Sequence, residues 1–201
     1  MDRLLRWNRI AARSGLWLGG AVMTAAALLI GFDILLRVGF NRAIDGADEL
    51  SRFALATATT WSLAGALLER AHIRVDTAYV RFPRPAQIMA DMVGLLAFLG
   101  CFGLVFAFGL ELVIQSAHAG ARSASALQIP MIYPQTLWLC GLALLLICGL
   151  VLLLACARLL IARRFAEVHD LIGIKSAEEE VAEELSHTPA ATAPDRQETA
   201  S

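Results

Sequence analysis

Four apolar stretches, separated by charged segments, dominate this chain. The first has no charged residue from 16 to 32, and the third has none from 92 to 110. A helix needs about 20 apolar residues to cross a hydrocarbon core of about 30 Å. The pattern therefore predicts an all-α integral membrane protein with four transmembrane helices, at about residues 14–38, 47–68, 90–112 and 133–160.

The second and fourth helices need more than an uncharged run to define them. The second run, 53–68, is short for a span, so the turn that contains Asp48 and Arg52 has to complete it. These two residues stand four apart and are predicted to form an ion pair on one helix face. Pro134 places the start of the fourth helix near residue 133, because proline is tolerated in the first turn.

The two ends of the chain differ from the membrane domain, residues 14–164. Residues 1–13 form a cytoplasmic amphipathic segment that either lies along the membrane surface or simply begins the first helix in water. A cleaved signal peptide is disfavoured because the apolar run continues well past Ala25–Ala27. Residues 165–201 are predicted as a cytoplasmic helical extension followed by a disordered acidic tail.

The arginines indicate the orientation of the chain in the membrane. Of the 17 Lys and Arg residues, 13 lie before the first helix, between the second and third, or after the fourth. These segments share one side of the membrane if all four helices cross it, and an excess of Lys and Arg marks the cytoplasmic side. Both termini are therefore predicted to be cytoplasmic, in a bacterial inner membrane.

Composition agrees with lipid as the solvent and gives no sign of nucleic-acid binding. Hydrophobic residues make up 58% of the chain, charged residues 17%, and the mean hydropathy is +0.63. A net charge of -1 provides no basic surface for phosphates. The four cysteines lie inside apolar runs without CxxC spacing, so they are interpreted as small hydrophobic residues.

Few polar groups fall at the middle depth of the predicted helices. Asp33 belongs near the outer interface, where Arg37 one turn away is expected to pair with it. The remaining mid-depth polar groups are hydroxyls and thiols, which offer no charged path to a polar solute. The chain is therefore predicted to be a scaffold or accessory subunit, and the GxxxG of Gly15 and Gly19 would permit close helix contact.

An enzyme or metal site is not predicted. Glu69 and His72 have the ExxH spacing of di-iron bundles, but one copy cannot build that site. No GxSxG, HExxH or phosphate-loop motif provides a starting residue for catalysis. No cofactor is expected.

Two segments resemble a known family. Residues 67–76, LLERAHIRVD, and residues 125–130, SALQIP, are similar to the cytoplasmic-loop and fourth-helix motifs of the small permease subunits of TRAP (tripartite ATP-independent periplasmic) transporters, the DctQ-like family. The second motif departs from the family in the position of its aromatic, which is here Tyr133. The candidate motif or partner-contact residues are Glu69, Arg70, His72, Arg74, Asp76, Gln128 and Pro130.

The resemblance implies a function and a set of partners. A large many-helix permease subunit would hold the substrate and sodium sites, and a periplasmic substrate-binding protein would deliver an organic acid for cation-gradient-driven uptake. The charges of residues 69–76 would fix the cytoplasmic loop, and Gln128 and Pro130 would set the outer bend. Contact of this bend with the binding protein is a further hypothesis. The alternative is a stand-alone four-helix membrane structural or regulatory protein.

Overall fold

The computed structural model describes residues 2–69, 83–125 and 127–162. Within these residues the protein is all-helical, and an isolated bridge between two loop residues is the one β-type pairing. The four helices are α1 (Asp2–Phe40), α2 (Ala47–Leu68), α3 (Arg84–Ala119) and α4 (Ile132–Ile161).

Three of these helices are long and apolar enough to cross a membrane. They are α1, α3 and α4, with 39, 36 and 30 residues. At a rise of 1.5 Å per residue, even α4 extends roughly 45 Å, more than the hydrocarbon core. The 22 residues of α2 extend roughly 33 Å. Its first turn carries Asp48 and Glu49, which shorten its apolar part.

The helices α1 and α3 extend beyond their apolar runs at both ends. The sequence predicts 14–38 and 90–112, whereas the structure has Asp2–Phe40 and Arg84–Ala119. Hydropathy indicates how much of a helix suits the lipid core. The hydrogen bonds of the helix continue beyond that part wherever the residues favour helix. Arginine and alanine both do so, and they are the most frequent residues in the added turns. The predicted extension at 165–201 lies outside the described residues.

The fourth helix is the centre of the bundle. It packs against α1, α2 and α3, whereas α3 has its main contacts with α4 alone. The largest fully buried side chains all belong to α4, namely Leu142, Leu145, Cys148 and Cys156. Around them the core is completed by Leu67 of α2 and by Ile88 and Leu95 of α3. The centre of the bundle is therefore mainly apolar, with a few buried polar residues such as Thr60 and Asp91.

The contact between α1 and α2 depends on the glycines at 15 and 19. A Cβ placed on Gly15 would lie 2.7 Å from the carbonyl oxygen of Trp61, and one on Gly19 would lie 2.7 Å from that of Ala58. Both distances are too short for a real Cβ contact, and backbone atoms cannot move aside cheaply. The GxxxG pair therefore lies at a close helix crossing, as such motifs do in membranes.

Residues 2–13 belong to the same helix as the apolar part of α1. Asn8 is buried, and its Nδ2 donates to the carbonyl oxygen of Cys148 over 3.2 Å. One turn later, Ala12 forms a small buried cluster with Ala64 and Cys148. This end of α1 is thus packed on α2 and α4.

Candidate functional site

Only the first three residues of the first motif, 67–69, are described, and they lie at the end of α2, whereas the second motif lies near its start. Glu69 directly follows α2, is exposed, and donates its backbone N–H to the carbonyl oxygen of Gly65 over 2.9 Å. The other candidates of that motif, Arg70, His72, Arg74 and Asp76, lie outside the described residues. The geometry of the site is therefore that of the second motif, in the loop that joins α3 to α4.

This α3–α4 loop, residues 120–131, folds back on itself. Gly120 ends α3 with a φ of +57°. The N–H of Ser123 then donates to the carbonyl oxygen of Ile129 over 2.9 Å, and that of Met131 donates to Ala121 over 3.0 Å. These bonds close a short hairpin with an antiparallel bridge between Arg122 and Pro130.

Gln128 and Pro130 both contribute to this hairpin through their backbones. Gln128 has a φ of +44°, its N–H donates to the carbonyl oxygen of Ser125 over 3.2 Å, and its side chain is exposed. Its own carbonyl oxygen accepts from Arg122 Nη1 at 3.4 Å. The carbonyl oxygen of Pro130 accepts the N–H of Tyr133 at 3.3 Å, which begins α4. The backbone of this motif thus forms the chain reversal and also leads into the first turn of α4.

The hairpin is fastened to the start of α2. Ser125 Oγ donates to Glu49 Oε2, and it also accepts the N–H of Leu127 over 3.2 Å. The side chain of Leu127 covers Gly46, where a Cβ would come within 2.0 Å of Leu127 Cδ1. Gly46 also has a φ of +82°, a conformation that favours glycine. A larger side chain at position 46 would therefore strain the backbone and would also displace the side chain of Leu127.

The α1–α2 loop is held down at the same end of the bundle. Asp33 is 5% exposed, and its Oδ2 lies 2.8 Å from Arg37 Nε. Its other oxygen, Oδ1, accepts the N–H of Ile44 at 2.7 Å. The expected Asp33–Arg37 ion pair is present, and so is the expected pair of Asp48 and Arg52.

Sequence reasoning missed the partners of the motif, Gly46 and Glu49. The Asp45–Gly46 dipeptide is a usable turn signal, because glycine after aspartate favours a left-handed turn position. The contact between Glu49 and Ser125 joins residues 76 positions apart, and no periodicity in the chain indicates it. What the arrangement offers chemically is a polar surface whose two loops are held by hydrogen bonds. No group of three or more metal-ligating side chains occurs in the described residues.

The fold and its long apolar helices define the chain as a multi-pass membrane protein with a mainly apolar interior. A family model described as "Tripartite ATP-independent periplasmic transporters, DctQ component" matches residues 26–159, which cover the last 15 residues of α1, the whole of α2 and α3, and nearly all of α4. The chain belongs to this family, the small component of TRAP transporters, and it is a membrane transport protein. Comparison with curated proteins and with solved structures found no match.

Proposed function

We propose that this chain is a scaffold for the large transport subunit of a TRAP transporter and helps dock its periplasmic binding protein. In this arrangement α2 crosses the membrane with the other three helices, and both termini are cytoplasmic. The positive-inside excess of arginines supports the orientation. The family match supports the assembly.

The observation that carries the proposal is the filled, mainly apolar interior of the bundle. The core of α4 is packed with leucine and cysteine side chains, as described above. The hydroxyl of the buried Thr60 donates within its own helix, to the carbonyl oxygen of Thr57 at 3.1 Å. The exposed Thr24 and Thr59 also donate within their own helices. These hydroxyls are already satisfied and offer no free polar group to a solute. Translocation is assigned to the partner.

The outward faces of α1 and α3 supply the surface on which a large subunit would pack. Large apolar side chains remain exposed along both helices, for example Leu28 and Leu35 on α1, and Leu104 and Phe108 on α3. In lipid such faces associate through close packing rather than through the hydrophobic effect. Packed on the large subunit in this way, α1 and α3 would widen its static scaffold.

The outer surface formed by the α3–α4 loop is assigned to the binding protein. Two fastened loops there present exposed polar side chains, including those of Asp48, Arg52 and Gln128. A surface whose backbone is fixed loses little conformational entropy on binding. The cargo, an organic acid taken up with a cation gradient, is inferred from the family, and the residues that select it would lie in the partner.

Reconstitution tests the proposal directly. Liposomes are prepared with this chain alone, with the large subunit alone, and with both, each in the presence of the binding protein and a sodium gradient. We expect solute accumulation with both subunits only. Accumulation by this chain alone would contradict the scaffold role, and full activity of the large subunit alone would favour the stand-alone structural or regulatory protein.

Pull-down in mild detergent provides the matching physical measurement. The chain is expected to co-purify with the large subunit at a fixed ratio, because the exposed apolar faces of α1 and α3 find their partner there. A stable chain that never retains the large subunit would contradict the proposal.

A further inference from the structure

Four arginines project from the first part of α1, one in nearly every turn. Arg3, Arg6, Arg9 and Arg13 are all exposed. Steps of three and four residues keep side chains on one side of a helix. The opposite side of the same turns is buried, as Asn8 and Ala12 show. The cationic side therefore faces away from the bundle.

None of these four guanidinium groups has an ion-pair or hydrogen-bond partner among the side chains that the structure describes. The ion pairs of Arg37 and Arg52 lie at the other end of the bundle. Asp2 is the one acidic residue before Asp33 in the sequence. Four arginines against one aspartate leave the side chains of residues 1–32 with a net charge of +3.

Large apolar side chains are interleaved with these charges. Trp7 is 70% exposed, Trp17 is 73% exposed, and Ile10 is also exposed. Helical spacing places Trp7, Ile10 and Trp17 on the same outward side as the arginines. Indole rings suit the headgroup layer of a bilayer, where one edge is apolar and the other is wet. We call this surface, residues 3, 6, 7, 9, 10, 13 and 17, the arginine–tryptophan face.

The arginine–tryptophan face is held in place by the contacts behind it. The hydrogen bond from Asn8 to Cys148 and the burial of Ala12 against Ala64 fix these turns on the bundle. Along the helix axis, Arg3 and Arg13 are separated by roughly 15 Å. The backbone that carries the four arginines is thus fixed before any ligand arrives, so binding has to order the side chains alone.

We propose that the arginine–tryptophan face binds the phosphate headgroups of anionic phospholipids in the surrounding bilayer. Guanidinium groups form paired hydrogen bonds with phosphate oxygens, and clustered basic residues near a membrane attract anionic lipid. Charge complementarity alone would also suit free phosphate or an acidic protein. The exposed Trp7 and Ile10 between the charges favour the lipid, because its acyl chains cover apolar surface while its headgroup meets the arginines.

The two exposed tryptophans make the binding measurable in the full-length chain. The protein is reconstituted into vesicles that contain either brominated phosphatidylglycerol or brominated phosphatidylcholine. Bromine quenches a nearby indole, and the signal of this face is the part of the quenching lost in Trp7→Phe/Trp17→Phe. We expect at least about threefold stronger quenching by the anionic lipid, falling as salt is raised.

Two pairs of variants test the role of the arginines. Arg6→Gln/Arg13→Gln is expected to bring the two lipids close to parity, whereas Arg42→Gln/Arg122→Gln, with the same charge change at the other end, keeps the preference. Arg6→Lys/Arg13→Lys preserves charge and membrane orientation but not paired hydrogen bonding, so we expect an intermediate preference. Equal quenching in the parent protein, or a parental preference in both the Gln and Lys variants, would overturn the proposal.

Two further measurements distinguish anionic lipid from a free anion and from a protein partner. Inorganic phosphate should reduce the preference no more than chloride at equal ionic strength, because the site recognises lipid. A specific effect of phosphate would instead assign the face to a free anion. Addition of the large subunit should leave the preference in place, and its loss would assign the face to a protein interface.

Discussion

The helices α3 and α4 are both apolar along nearly their whole length, yet the protein uses them in opposite ways. Half of the most apolar 18-residue stretch of α4 is buried inside the bundle, against 11% of the corresponding stretch of α3. Helix α4 contacts all three other helices, whereas α3 packs mainly on α4. Apolar character therefore identifies a membrane helix without showing whether its neighbours are protein or lipid.

Small residues show which of the two helices is in the centre. A Cβ on Gly141 of α4 would lie 2.5 Å from Thr60 Oγ1 and 2.8 Å from Trp61 Cδ1. A Cβ on Gly100 of α3 would meet nothing within 4 Å. Helix packing in a membrane depends on how closely backbones approach, because lipid tails are as apolar as leucine.

The largest effect is expected when Gly141 is enlarged, and the same change at Gly100 is the matched control. Gly141→Leu should destabilise the folded bundle by about 3 kcal/mol, because the stiff, buried side chain of Thr60 cannot move aside. Gly100→Leu adds the same side chain to an open face and should change stability by less than about 0.5 kcal/mol. Unfolding in mixed micelles measures both, and equal losses would contradict the central place of α4.

A smaller difference is expected when leucines are shortened on the same two helices. Leu145 is fully buried and Leu104 is 63% exposed. Leu145→Ala should cost about 2 kcal/mol, somewhat below the range for soluble proteins, because the unfolded helix keeps its leucine in lipid and only the packing loss remains. Leu104→Ala should leave the stability of the isolated chain nearly unchanged.

The pair of leucines also tests the proposed scaffold. If the outward face of α3 packs on the large subunit, Leu104→Ala weakens co-purification while the isolated chain stays stable. Leu145→Ala affects both measurements together. A Leu104→Ala variant that destabilises the isolated chain as much as Leu145→Ala would contradict this reading, because it would mean that Leu104 packs inside the isolated bundle.

The existence of the helices was predictable from sequence, and their neighbours were not. Long charge-free runs have one stable form in lipid, since every backbone polar group must be satisfied internally. Periodicity gives little information on packing in α4, where leucine occupies nearly every side of the helix. The crossing of α1 and α2 was indicated by Gly15 and Gly19, whose motif is also frequent where no helix packs.

The contacts of the α1–α2 and α3–α4 loops were likewise predictable only in part. Pairs four residues apart, such as Asp33–Arg37, follow from helix geometry alone, and the structure contains them. The bend at Gln128 and Pro130 was expected from proline chemistry. The fastening of that bend to Glu49 is a contact between distant segments, and it depends on the tertiary arrangement of α2 and α4 that sequence spacing does not specify.

The smallest effect concerns the loop that joins α3 to α4. Because α3 has one main neighbour, the hydrogen bond from Ser125 to Glu49 helps to keep the end of the helix in place. Ser125→Ala should cost about 1 kcal/mol and accelerate hydrogen exchange several-fold at the amides of Ser123 and Met131. Ser14→Ala is the control, because that hydroxyl bonds only within its own helix.

Combining substitutions identifies the partner of Ser125. In the double variant Ser125→Ala/Glu49→Ala the losses should not add, since either change alone already removes the same hydrogen bond. Ser14→Ala/Glu49→Ala should be additive, because those side chains lie in different parts of the bundle. Additive losses for Ser125 and Glu49, with exchange unchanged at Ser123 and Met131, would mean that α3 is held by its packing on α4 alone.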